Sequence, residues 1–178
     1  MNDPGPNRVG ADVLLSDLSG AVFDEATLVL SSFVQSRLAG ARFEQADLEQ
    51  VVFDTTTLTG ATFRRARLTD VVFRDVDLAN AEFTFIDVRP GKGLGPNGRP
   101  EEVTFERADL SGARFFFELD DLGLQGPVLE DVLENHVHEV LGGLTWVDTI
   151  CPDGSNSDDP LNGGSCEQAI RNQLPTAP

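Results

Sequence analysis

Basic side chains are scarce in this 178-residue chain: 13 Lys and Arg stand against 30 Asp and Glu, a formal net charge of −17. That balance repels phosphate, so nucleic acid and anionic membranes are disfavoured as partners. Long apolar runs are missing as well; none approaches the ~20 residues of a membrane-spanning helix. Met1-Asn-Asp-Pro-Gly-Pro-Asn7 has neither a basic start nor an apolar stretch, so no signal peptide is expected in this sequence. Histidine occurs twice, at His136 and His138. Two residues apart they diverge on a helix and form no metal pair, and Ser31, Ser32 and Ser36 have no histidine in their own region. Gly91, Gly93 and Gly95 imitate a phosphate loop, but no Gly-Lys-Ser/Thr follows them. The expectation is a protein that is no enzyme and needs no cofactor.

What is abundant is order. From Val13 to Val88 every fifth residue is apolar, alternating Leu18, Phe23, Leu28, Phe33 and onward to Leu78 and Phe83. Two positions before each stands a small or β-branched residue, as at Ala41, Ala46, Val51 and Thr56. Five fits neither the helical period of 3.6 nor the strand period of 2, so the pattern is an internal repeat. A longer period of twenty lies inside it, in Leu18-Ser-Gly-Ala-Val-Phe23, Leu38-Ala-Gly-Ala-Arg-Phe43, Leu58-Thr-Gly-Ala-Thr-Phe63 and Leu78-Ala-Asn-Ala-Glu-Phe83. Four pentads therefore make one turn of a square coil. Gly20, Gly40, Gly60 and Asn80 mark one corner and suggest a positive φ there.

Ala46-Asp-Leu48-Glu-Gln50 and Ala108-Asp-Leu110-Ser-Gly112 carry the pattern Ala-(Asp/Asn)-Leu-x-x, which resembles the signature of the pentapeptide-repeat family. The resemblance covers about Ala11 to Phe117 and implies a right-handed quadrilateral parallel β-helix; the expected fold is all-β, that solenoid followed by a C-terminal helix cap and a disulfide-closed tail. Large residues fill the axis and small ones let the corners close. The expected organisation is a flexible N-terminus over 1–10, the β-helix over 11–117, and a C-terminal cap helix with an acidic two-cysteine tail over 118–178. At ~4.8 Å between paired strands the coil makes a rod about 23 Å long.

The repeat breaks once, after Val88, and resumes at Val103-Thr-Phe105 on the side that was next in line. The implied insertion is 12 residues long. Pro90-Gly-Lys-Gly-Leu-Gly-Pro-Asn-Gly-Arg-Pro100 is too rich in Gly and Pro for regular structure and reads as a projecting loop. Arg64, Arg65 and Arg67 form a basic spot on the third coil, while Arg42 falls between Asp24 and Glu44.

The acid surplus sits in the tail, where twelve acidic residues follow Phe117 against Arg171 alone. Leu129, Val132, Leu133, Val137, Val140 and Leu141 share one face of a helix opened by Gly126-Pro127 and closed by Gly142-Gly143. Its expected role is to cover the last coil, whose apolar section and strand edge need a lid; a homodimer contact is the alternative. Phe85, Phe116 and Phe117 need cover from this segment or a partner. The stretch Thr145-Trp-Val-Asp-Thr-Ile-Cys-Pro-Asp-Gly…Gly-Gly-Ser-Cys166 is similar to the ending of exported bacterial pentapeptide-repeat proteins. Cys151 and Cys166 flank a loop of turn residues in a chain with no other cysteine, and read as a disulfide. That pairing favours an oxidising compartment, extracellular or cell envelope. Asp153, Asn156, Asp158 and Asp159 are weak calcium candidates, because Gly154 follows the first Asp directly and the spacing departs from calcium loops.

Two functional expectations follow. One is a non-enzymatic scaffold that binds an unknown protein partner through Val52 and Val72, in register with Ser32 and Thr104, and through Lys92, Leu94 and Arg99 of the loop. The other comes from the family resemblance: a cytoplasmic DNA mimic that protects a type II topoisomerase (gyrase) from quinolones. The near-balanced charge of the coil and the two cysteines count against the second.

Overall fold

The computed structural model describes residues 10–84, 103–116, 141, 144–158 and 165–173. Its strands are short, as a five-residue side requires: β1 (Asp12–Leu14), β2 (Ser32–Val34), β3 (Val52–Asp54), β4 (Val72–Arg74), β5 (Glu82–Thr84), β6 (Val103–Glu106), β7 (Arg114–Phe116) and β8 (Leu144–Val147), followed by helix α1 (Glu167–Arg171). β1, β2, β3, β4, β6 and β8 form one six-stranded parallel sheet in that order, and β5 pairs with β7. Parallel bridges at Asp17, Arg37, Thr57, Asp77 and Asp109, and at Thr27, Asp47 and Arg67, run up the other two sides. The result is a four-sided parallel β-helix.

Register follows the twenty-residue period: Phe33 lies on Phe53 and Phe53 on Phe73. Across the insertion Phe73 pairs with Phe105 and Phe83 with Phe115, so the columns resume as the sequence pattern predicts. Inside, phenyl rings stack parallel along each of two columns with centroids 4.9 to 5.1 Å apart, as in Phe43–Phe63 and Phe53–Phe73. Rings of the two columns meet edge to face, for instance Phe43 and Phe53 at 5.8 Å and 83°. Both arrangements suit the ring quadrupole and add about 0.5–1.5 kcal/mol per pair beyond burial. Leucines of the intervening sides fill the rest of the axis.

Corners depart from the expectation. Positive φ is not confined to the glycine corner. It recurs at Glu25, Gln35, Gln45, Asp70 and Arg107, with values from 50° to 59°. Every pentad closes by one left-handed residue, and only the least strained of these positions advertises itself as glycine. The strain is offset by the corner amides, which donate up the coil, as Glu25 N to Glu44 O and Gln45 N to Arg64 O, 2.7 and 2.8 Å.

The larger correction concerns the tail. Leu144, Thr145, Trp146 and Val147 pair with Val103 through Glu106, and Ile150 bridges Asp109. Trp146 stacks on Phe105 at 5.0 Å, Asp148 carries the corner φ of 46°, and Cys151 follows where the column below has Leu110. Residues 144–153 thus add a further stretch of coil beyond the expected end. The cap helix expected over 127–141 lies outside the described residues except for Leu141, which is helical and buried in the core. α1 inserts Ile170 into the same core. No helix among the described residues is long and apolar enough to cross a membrane.

Candidate functional site

On the six-stranded sheet, Asp12, Ser32, Val52, Val72, Thr104 and Thr145 follow one another from strand to strand in strict register. Strand alternation turns this row outward while Phe33, Phe53, Phe73 and Phe105 point to the axis. Val52 and Val72 are half-buried at its centre. The structure therefore brings the two valines together with Ser32 and Thr104, and Thr145 extends the row. Lys92, Leu94 and Arg99, and the loop near 90–102 that carries them, lie outside the described residues, as do residues 1–9, Phe85 and Phe117 and the side chain of Phe116.

A charged border runs beside the row. Arg74 lies between Asp54 at 3.7 Å and Glu106, to which its Nε donates at 3.0 Å. Arg107 also donates to Glu106, and holds Asp75 with two bonds of 2.6 and 2.8 Å. The hydrogen bond from Arg74, then that from Arg107, pulls the Glu106 carboxyl below its ordinary value; the bond from Arg107 does the same for Asp75. Arg107 itself is held protonated by Asp75 first and Glu106 second. Comparable ladders tie Arg42 to Asp24 and Glu44, and Arg67 to Asp47 and Glu49, both at 3.3 Å. Arg64 faces Glu44 at 3.9 Å. The expected basic spot is thus interleaved with carboxylates of the preceding coil.

Around the corner from the row lies an open cleft of about 530 Å³, bordered by Asp75, Asp77, Arg107, Asp109, Asp148 and Asn156. Its polar side chains are bonded to the backbone or to one another. Asp77 and Asp109 accept from the amides of Ala79 and Ser111 at 3.0 and 2.9 Å, and Asn156 donates to Asp148 at 3.3 Å.

The calcium candidates are spent in the same way. Asp153 accepts both the amide and the hydroxyl of Ser155, and its carboxyl is lowered by those two bonds, the hydroxyl's first. Asn156 Oδ1 accepts the amide of Asp158, and Asp158 Oδ1 accepts the amide of Asp148. Asp159 lies outside the described residues. Among the described residues no group of three His, Cys, Asp or Glu is placed to hold a metal.

Cys151 and Cys166 are bonded to each other and fully buried, with Ala169 and Trp146 packed against them. Asn156 turns back antiparallel onto Ile150, and Ser157 Oγ accepts the amide of Thr149. Sequence reasoning missed the structural parts of Trp146, Thr149 and Gln173. The five-residue step from Trp146 to Cys151 was the available signal for the first two; Gln173 had none.

Residues 16–83 match the model of the pentapeptide repeat region. No curated protein matches the sequence. Among solved structures the chain is similar to trypsin-treated QnrB1, a plasmid-mediated fluoroquinolone resistance protein, with 16% identity over 59% of this chain and 58% of that one, TM-score 0.46. A pentapeptide repeat protein from the Arabidopsis thaliana thylakoid lumen shares 22% identity over 84% of this chain and 90% of its own, TM-score 0.39. One from the cyanobacterium Cyanothece 51142 shares 15% over 61% and 84%, TM-score 0.32. With the five-residue period, the parallel square coil and the matching family model in place, residues 16–83 of the chain are a pentapeptide repeat region.

Proposed function

We propose that this chain is a non-enzymatic scaffold that binds a protein partner through the outer face of its six-stranded sheet. The observation that carries the reading is the row Ser32, Val52, Val72, Thr104, flat, in register and bordered by the Asp54–Arg74–Glu106 ladder. A small apolar centre with a charged rim is the layout of a protein-recognition patch. Lys92, Leu94 and Arg99 extend the reading to the loop. The buried Cys151–Cys166 bond supports an oxidising location, extracellular or in the cell envelope.

The test is co-purification from the native source with three baits: the wild type, a Val72→Asp variant, and a protein lacking residues 90–102. A partner retained by the wild type and lost with Val72→Asp is the expected result. Equal recovery by all three would end this reading. Thr62→Asp, on a different side, serves as the control substitution and should retain the partner.

DNA mimicry finds no support in the coil, where Arg42, Arg67, Arg74 and Arg107 each lie against carboxylates of a neighbouring coil. Duplex mimicry needs uninterrupted negative faces. A gyrase supercoiling assay with a quinolone should show no protection at any concentration of this protein; dose-dependent rescue would reinstate the mimic.

A further inference from the structure

Beside the row that holds Val52 and Val72, strand alternation sends a second column outward on the same sheet: Leu14, Val34, Asp54, Arg74, Glu106 and Val147. Its ends are apolar and exposed, Leu14 at 59% and Val147 at 44%. Its middle is a carboxylate followed by a guanidinium. The sheet has six strands, so its centre falls between β3 and β4. A second copy can be turned over about a two-fold axis through that centre, parallel to the strands, and laid face to face on the first. Val52 then meets Val72, Asp54 meets Arg74, Ser32 meets Thr104 and Leu14 meets Val147, each pair occurring on both sides of the axis. Asp12 falls on Thr145 and Val34 on Glu106. Like charges oppose nowhere on the two columns.

Other two-fold placements do worse. An axis along the coil sets Val52 against Asp54 and Val72 against Arg74. An axis centred on β3 opposes Asp54 to itself, and one on β4 opposes Arg74 to itself. Between β4 and β6 like charges are again avoided, but Val52 faces Thr145 and Leu14 is left uncovered. The central axis alone covers all six strands, and such a contact is isologous and closed. Five strand spacings of ~4.8 Å by ~10 Å of strand give a footprint of about 240 Å² per copy. A standard interface covers roughly 800 Å² per partner, so this contact belongs to the weak, transient class.

We propose that the occupant of this sheet face is a second copy of the chain, packed about the axis between β3 and β4 as a weak antiparallel dimer. The inference rests on the reading of this face as a protein-recognition surface and adds the identity of the partner. Asp54 and Arg74 already lie 3.7 Å apart within one chain, so the second copy completes an alternating square of four charges. Charge complementarity fixes the register, and the paired valines exclude water beside it.

The experiment is sedimentation from about 10 μM to about 1 mM, a range suited to a contact this small. Salt of about 0.15 M, with a Debye length of about 8 Å, screens the net charge of −17. The wild-type mass should rise with concentration toward that of a dimer. Arg74→Glu opposes two carboxylates across the axis, and Asp54→Arg opposes two guanidinium groups, so each variant alone should stay monomeric. An equal mixture of the two restores both pairings and should associate again. For orientation, Leu14→Cys and Val147→Cys are treated with a bismaleimide of about 10 Å reach, the spacing of packed sheets. They should cross-link when mixed and in neither alone, because each residue and its own copy lie about 24 Å apart along the coil. Cys151 and Cys166, bonded to each other, do not react. A wild type that stays monomeric, a mixture of charge variants that stays monomeric, or Leu14→Cys linking to itself would each overturn the proposal. Should it fall while another protein is still lost with Val72→Asp, the recognition face stands and only its assigned occupant is wrong. Circular dichroism of each variant checks that the coil remains folded.

Discussion

Thr56 occupies one of the small inward positions and is 3% exposed, yet its hydroxyl has no hydrogen-bond partner among the described residues. Its neighbours in the column handle the same place differently: Ser36 donates to Val34 O at 3.0 Å, and Val76 offers no polar atom. A buried hydroxyl without a partner costs roughly 1–3 kcal/mol in desolvation. Thr56→Val keeps the branched shape and removes that oxygen, so it should raise stability by about 1 kcal/mol in urea unfolding; a loss of similar size would show that the hydroxyl has a partner after all. Inward residues of this kind were legible in the sequence because each must repeat every five positions. Corner residues were legible only where glycine stood, since Gln45, Asp70 and Arg107 take the same left-handed turn with side chains that give no such signal.

At the scale of elements, the insertion was readable and the last coil was not. Val103-Thr-Phe105 restates Val71-Val-Phe73 almost letter for letter, so its pairing with β4 could be assigned from composition alone. Leu144-Thr-Trp146 and Thr149-Ile-Cys151 keep the spacing but replace every marker residue, a larger ring for Phe and a cysteine for Leu. The substitutions have a physical reason. The coil ends here, so Trp146 spreads over the terminal layer and packs against the disulfide, which ties the last coil to α1 across 15 residues. Closing a loop of that length stabilises by about 3 kcal/mol. Replacing both cysteines with serine should lower the unfolding free energy by about that amount and alter the emission of Trp146, the sole tryptophan. Titration of the native, unreduced protein should find no free thiol; two titratable thiols would remove the argument for an oxidising compartment.

For the whole molecule, the net charge of −17 sets up self-repulsion that the coil answers locally. Carboxylates face arginines of adjacent coils, and four carboxyls among the described residues titrate low. Glu106 is lowered by Arg74 first and Arg107 second, Asp75 by Arg107, Asp17 by the hydroxyl and amide of Ser19, and Asp153 by those of Ser155. A carboxyl whose folded value lies below its unfolded one stabilises the fold above the unfolded value. That contribution is lost as pH falls through the folded value. The ordinary values are 3.8 for these aspartates and 4.5 for the glutamate, so the thermal midpoint should be flat down to about pH 5 and fall steadily below it. Arg107→Gln removes a partner of both Asp75 and Glu106, and should make the acid-side decline shallower while changing little at neutral pH, because solvent screens exposed ion pairs. A midpoint that drops between neutrality and pH 5, or an acid slope that Arg107→Gln leaves unchanged, would show that stability at low pH is governed by groups other than these inter-coil carboxylates.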